Sequence, residues 1–262
     1  MEVLHFQEHE KKLHDEANYL KITDAILDEA FIEEDKVALP QLTADMQNVI
    51  NAALIPRPPS EVLVEAFGLS IKRHDMHTLA DRSWLNCEVI NFYMEMLKER
   101  GKLENYPTVY TFNTFFYPRL LSGGHAALKR WTQKVDVFSH DLIIVPVLLK
   151  VHWCLAVIDF RNKTVKYYDS MGSPNNKCLK SLMKYLQDES LDKRKAAFDT
   201  SGWQTENVKK IPQQMNGNDC GMFACTFAEY ICRGADISFT QQDMPYFRSK
   251  MVYEIYTCKL LM

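Results

Sequence analysis

Apolar positions between Leu42 and Leu54 recur at helical spacing behind Thr43, a capping-type residue, and Ile55-Pro-Arg-Pro-Pro-Ser60 then stops any helix. Residues 61–73 read as extended. From Asn86 to Arg100, Val89, Ile90, Tyr93, Met94 and Leu97 share one side of a helix that Gly101 ends. Thr108 to Phe116 predicts a strand and Gly124 to Thr132 a helix. Asp141 to Leu149 is apolar at consecutive positions, as a strand covered on both faces should be. Trp153 to Phe160 and Thr164 to Asp169 flank Arg161-Asn162-Lys163 and predict a hairpin. Helical patterning returns over 175–190, 219–233 and 243–258. Strands grouped in the middle, with helices before and after them, predict an α+β fold.

The first forty residues stand apart. They hold four Lys/Arg and eleven Asp/Glu, against 27 and 23 in the remainder, so a segment at -7 precedes a body at +4. Ile22, Ile26 and Ala30 fall at helical spacing within it, so residues 18–34 read either as an amphipathic helix or as part of a disordered tail. The expected organisation is an acidic appendage over 1–40 and one compact domain over 41–262, without internal repeats. A body this mildly basic suits an acidic protein partner and is too weak for nucleic acid; Lys129-Arg130-Trp131 reads as a solvated helix face. No apolar run approaches the roughly 20 residues of a membrane helix, and no signal peptide opens the chain. An apolar content of 47% over 262 residues can fill a sizeable core.

Seven cysteines, an odd number without framework spacing, point to a reducing compartment. No Cys-x-x-Cys pair occurs, and His5, His9 and His14 have no cysteine nearby, so no metal site is expected. Cys220 carries the chemistry. It ends the polar loop Ile211-Pro-Gln-Gln-Met-Asn-Gly-Asn-Asp219 and opens an apolar helix, so its thiol faces the positive end of a helix dipole. His152 opens one hairpin strand and Asp169 closes the other, which brings both to one end of the sheet. A short turn sets Asp169 opposite residue 155 or 156, so a bulge or side-chain reach must close the gap. A nucleophile, a proton carrier and an orienting carboxylate, in the order His, Asp, Cys, are the parts of a cysteine protease. An amide just upstream of the nucleophile could stabilise the oxyanion, with Gln213 and Gln214 as candidates and the Cys220 N–H as second donor. Taken singly, each residue has a plainer reading: a buried thiol is usually a small hydrophobe, as Cys154, Cys225 and Cys232 read here.

Trp84-Leu-Asn-Cys-Glu-Val-Ile-Asn-Phe-Tyr-Met94, His152-Trp-Cys-Leu-Ala-Val-Ile-Asp159, Tyr168-Asp-Ser-Met-Gly172 and Gln213-Gln-Met-Asn-Gly-Asn-Asp-Cys-Gly221 resemble the sentrin/SUMO-specific proteases. These are the ubiquitin-like-protein-specific cysteine proteases related to the adenovirus protease. The likeness runs from about residue 60 to the end and includes Thr240-Gln-Gln-Asp-Met-Pro-Tyr-Phe-Arg248. It implies a papain-like fold, a central mixed or antiparallel sheet flanked by helices. It further implies His152, Asp169 and Cys220 as catalytic residues, and Gln214 rather than Gln213 as the oxyanion amide. Trp84 and Trp153 would close a tunnel over the modifier's Gly-Gly terminus, lined by Val151 and Met171. On this reading Trp153→Ala loses most turnover while leaving the fold and SUMO-surface binding largely intact. The implied partners are SUMO and SUMO-conjugated proteins, with no cofactor, for a monomer of the nucleus or cytoplasm. Cys87 stands where the family commonly has an acidic residue that pairs with SUMO, and its absence should weaken binding by ~0.5–1 kcal/mol.

Overall fold

A computed structural model describes residues 39–261. The helix expected over 18–34, and all of the acidic segment before residue 39, lie outside them. Helix α1 spans Ala44–Ala53, and the Thr43 hydroxyl caps it by accepting the Met46 N–H at 3.3 Å. Residues 61–73, expected as one extended segment, instead fold into a hairpin of β1 (Val62–Ala66) and β2 (Leu69–Lys72). Phe67 and Gly68 make its turn with φ of 58° and 73°. Positive φ at both central residues matches the twist of the flanking strands. A phenylalanine at such a position gives no turn signal in sequence.

Helix α2 (Cys87–Arg100) starts where expected, with the Asn86 side chain accepting the Val89 N–H at 3.1 Å. Val89, Ile90, Tyr93, Met94 and Leu97 are all buried. The next stretch needs correction. Strand β3 covers only Val109–Thr111, and helix α3 runs over Phe116–Gly123, upstream of the helix expected at 124–132. Gly124, at φ 58°, ends α3, and one 3₁₀ turn over His125–Ala127 with further turns follows. The aromatic run Phe115-Phe116-Tyr117 favours strand by propensity, but burial of Phe116, Tyr117 and Leu120 on one face overrides it.

The sheet then forms from β4 (Leu142–Leu149), β5 (His152–Asp159), β6 (Thr164–Tyr168) and, after helix α4 (Asn176–Arg194), β7 (Gln204–Asn207). Its order is β3-β4-β5-β6-β7, with both outer pairs parallel and both inner pairs antiparallel. Strand β7 is polar and largely exposed, so no apolar alternation announces it. Val145, Val147, Ala156 and Ile158 share one core cluster with Phe116 and Leu120 of α3 and with Leu182 and Leu186 of α4. Side chains alternate across a strand, so β5 buries its other face too, against α5 (Cys220–Arg233). Twelve of the fourteen residues of α5 are buried, and the helix ends at Gly234 in the left-handed region. Helix α6 (Met244–Thr257) packs beside α5. No helix among the described residues is long and apolar enough to cross a membrane. The expected α+β class, a mixed sheet flanked by helices, is what the chain adopts.

Candidate active site

Strand register brings the first two groups together. Leu155 stands opposite Tyr168 across β5 and β6, so continuing the pairing sets Asp169 against Cys154 rather than 155 or 156. The turn takes four residues, 160–163, and this shifts the register. His152 and Cys154 then project from one face of β5, two residues apart. No bulge is required. His152 Nε2 donates to Asp169 Oδ1 at 2.6 Å. The Met171 N–H donates to the same oxygen at 2.8 Å, which fixes a carboxylate that is only 4% exposed.

The electrostatics follow from this contact. The His152 pKa is pushed up to about 12, chiefly by the hydrogen bond to Asp169. Hydrogen bonds with the Cys154 and Cys220 thiols add to the effect, and partial burial opposes it. With Nε2–H committed to Asp169, Nδ1 is the nitrogen left to the thiols. Cys220 is the first residue of the fourteen-residue α5, buried to 2% exposure. Its backbone N–H belongs to the first helical turn, whose amides have no partner within the helix, so it points outward with the dipole behind it. Cys154 was expected to be a small hydrophobe and is 1% exposed. It also touches the His152 imidazole, and burial raises its pKa.

The two glutamines separate by their partners. Gln214 Oε1 accepts from Ser170 Oγ at 2.6 Å, and Gln214 N–H donates to the Ser170 carbonyl at 2.9 Å. Gln214 Nε2 donates to the Asn216 carbonyl at 2.6 Å, which leaves its second N–H for another acceptor. Gln213 is exposed instead and lies beside Gly172. Ser170, which orients the amide, carried no role in the sequence reading; its position next to Asp169 was the available signal.

The two tryptophans occupy unlike settings. Trp153 is 6% exposed and donates Nε1–H to the Leu85 carbonyl at 3.2 Å, whereas Trp84 is 51% exposed. A Cβ at Gly221 would lie 2.9 Å from Leu85 Cβ and 3.3 Å from Trp153 Cδ1. The residue after Cys220 must therefore be glycine for the segment carrying Trp84 to sit against Trp153. Val151 and Met171 are 64% and 58% exposed.

The ligand atoms of His152, Cys154 and Asp169 lie within 4.8 Å of one another, a spacing that also suits a metal. The donors fit one poorly. Asp169 Oδ1 already accepts two hydrogen bonds, and burial disfavours the thiolate that a metal would require of Cys154. All seven cysteines are free thiols.

Comparison with known proteins places the chain among proteases. Residues 83–260 match the model of the Ulp1 protease family, C-terminal catalytic domain. The chain is 50% identical over 225 residues to human Sentrin-specific protease 2, covering 85% of this chain and 38% of that protein. It is 45% identical over 229 residues to the Sentrin-specific protease of Caenorhabditis elegans, covering 87% of this chain and 32% of that one. The X-ray structure of the C-terminal Ulp1 protease domain in complex with Smt3, the yeast orthologue of SUMO, matches with a TM-score of 0.75 at 29% identity. That match covers 85% of this chain and 98% of the yeast domain. The chain thus spans less than two fifths of the length of the sentrin-specific proteases named here. With His152, Asp169, Gln214 and Cys220 assembled within the matched residues, this chain belongs to the Ulp1 protease family, through that family's C-terminal catalytic domain.

Proposed function

We propose that this chain is a SUMO-specific cysteine protease that cleaves after Gly-Gly, freeing SUMO from target lysines and maturing SUMO precursors. The observation that carries the reading is the part-buried His152–Asp169 contact of 2.6 Å, with Cys220, the first residue of α5, contributing to the raised His152 pKa. Cys220 attacks the terminal glycine carbonyl as thiolate, and the oxyanion is met by the Cys220 N–H and the free N–H of Gln214. His152 passes its Nδ1 proton to the departing amine as the C–N bond breaks, leaving a thioester. Water then attacks the thioester, giving its proton to His152, and the thiolate leaves with the modifier's carboxylate restored. Asp169 keeps the ring in one tautomer and orientation throughout.

The specificity follows from steric exclusion. A passage walled by Trp153 and covered by Trp84 admits a tail without side chains, with Val151 and Met171 at its flanks. Its partners are SUMO and SUMO-conjugated proteins, and it acts as a monomer without cofactor. Seven free thiols suit an intracellular reducing compartment, with the nucleus favoured over the cytoplasm by the relatives' family. The deciding experiment is covalent labelling by ubiquitin-like modifiers that end in an electrophile after Gly-Gly, run against wild type and Cys220→Ser. Labelling by SUMO alone, abolished in the serine variant, is expected. Labelling by another modifier keeps the mechanism and replaces the substrate. Retained SUMO binding without labelling makes the chain a non-catalytic reader.

A further inference from the structure

The segment Thr240 to Arg248 has no part in the chemistry above, yet its side chains reach three pieces of the site. Asp219, immediately before the nucleophile, is 5% exposed, and both its carboxylate oxygens are taken. Arg248 donates to Oδ1 from Nε at 3.0 Å and from Nη2 at 2.7 Å. Asn216 Nδ2 and Gln241 Nε2 donate to Oδ2 at 2.6 and 2.8 Å. Burial alone would raise the pKa of this carboxyl; the donors from Asn216, Arg248 and Gln241 and the Arg248 charge hold it below its usual range. The contact locks the turn that aims Cys220.

Each of the two anchors then extends to a different neighbour. Gln241 Oε1 accepts the Met215 N–H at 2.8 Å, so one side chain ties Asp219 to the residue following the oxyanion amide Gln214. Arg248 is buried and turns its remaining donors on the approach to Trp84. It reaches the carbonyls of Thr78 at 3.3 Å, Ala80 at 3.0 Å and Ser83 at 2.8 Å, and that of Asn218 at 3.4 Å. The planar fork of an arginine can satisfy a carboxylate and several carbonyls at once, which a lysine cannot. Residues 80–86 form no helix or strand, so these bonds, together with the Trp153 hydrogen bond to the Leu85 carbonyl, hold the stretch that carries Trp84.

We propose that Gln241 and Arg248 are positioning residues that act through Asp219, Gln241 holding the oxyanion amide and Arg248 holding the Trp84 side of the tail passage. The proposal rests on the reading of Cys220 as the nucleophile of a Gly-Gly protease. The two residues should therefore fail in different kinetic parameters. An amide out of line weakens an interaction made only in the transition state, so kcat falls; a loosened passage weakens binding of the tail, so KM rises.

The test is steady-state cleavage of SUMO carrying a fluorogenic amide after Gly-Gly, by wild type, Gln241→Ala and Arg248→Lys, with melting curves for all three. Gln241→Ala is expected to lower kcat about tenfold with KM within about twofold. Arg248→Lys is expected to raise KM about tenfold with kcat within about twofold. A purely structural role would lower the melting temperature and leave both parameters unsplit in the folded fraction, which overturns the proposal. Should Arg248→Lys not fold, the partly exposed Gln241 decides, and an unchanged kcat in Gln241→Ala overturns it. A wild type without turnover sinks the reading of Cys220 and these roles with it, whereas an active wild type with unsplit variants sinks only the roles.

Discussion

Asp169 and Cys220 are 4% and 2% exposed, while Trp84, Val151 and Met171 in the same site are 51%, 64% and 58% exposed. The groups assigned to the reaction sit where the dielectric is low and hydrogen bonds are strong, with Asp169 fixed by two donors. The residues assigned to the tail passage leave apolar surface in water, surface that a substrate would cover on arrival. Trp153 is assigned to the passage yet packed like core. The difference separates two kinds of failure: damage to the buried set should appear in the chemical step, and damage to the rim in the binding of the tail.

The largest effect is expected from Asp169→Asn. The first cause of the raised His152 pKa disappears, and kcat should fall about 10³–10⁴-fold, as for the orienting carboxylate of other triads. The pH profile sharpens this test. The folded pKa of His152 lies above its unfolded value near 6.5, so the pair's stabilisation is complete below about pH 6.5 and is lost only as pH rises towards 12. In Asp169→Asn the alkaline limb of kcat/KM should move down by at least about one pH unit. An unmoved limb would detach His152 from the reaction.

Gln214→Ala comes next, with kcat expected to drop about 10²–10³-fold at nearly unchanged KM, measured on the same fluorogenic substrate. A rise in KM alone would place Gln214 in the rim rather than with the reacting groups.

The two tryptophans test the comparison directly. Trp84→Ala should raise KM about tenfold while the melting temperature barely moves, because half of the side chain is already in water. For Trp153→Ala the structure adds a cost in stability to the expected loss of turnover. Its indole is buried against Leu85 and Gly221 and loses a hydrogen bond as well, so about 3–5 kcal/mol of stability should go with the turnover. Equal melting curves for the two variants would erase the distinction between core and rim.

The smallest effect is expected at Cys87, half-buried at the first turn of α2. Cys87→Asp restores an acidic residue towards a basic modifier surface and should tighten binding by ~0.5–1 kcal/mol, a two- to fivefold fall in KM. The gain should shrink at high salt. A salt-independent change would point away from an ion pair.

Much of this site was legible because its parts are local. An apolar helix after a polar Asn-Gly-Asn-Asp turn, a hairpin around Arg161-Asn162-Lys163 and an unbroken apolar strand each declare themselves within a dozen residues, through periodicities that backbone geometry imposes. From these alone Cys220, His152 and Asp169 could be placed at element ends. Tertiary structure decided what depends on partners far apart in the chain. The register setting Asp169 against Cys154 came from a four-residue turn, and the hairpin at Phe67-Gly68 and the polar strand over 204–207 exist through pairing rather than pattern. Ser170 binds Gln214 by a contact across 44 positions, and Arg248 reached Asp219 across 29 and Ala80 across 168. Hydrogen bonds of that kind form between groups that only the folded chain brings within 3 Å, so they leave no period in the sequence to read.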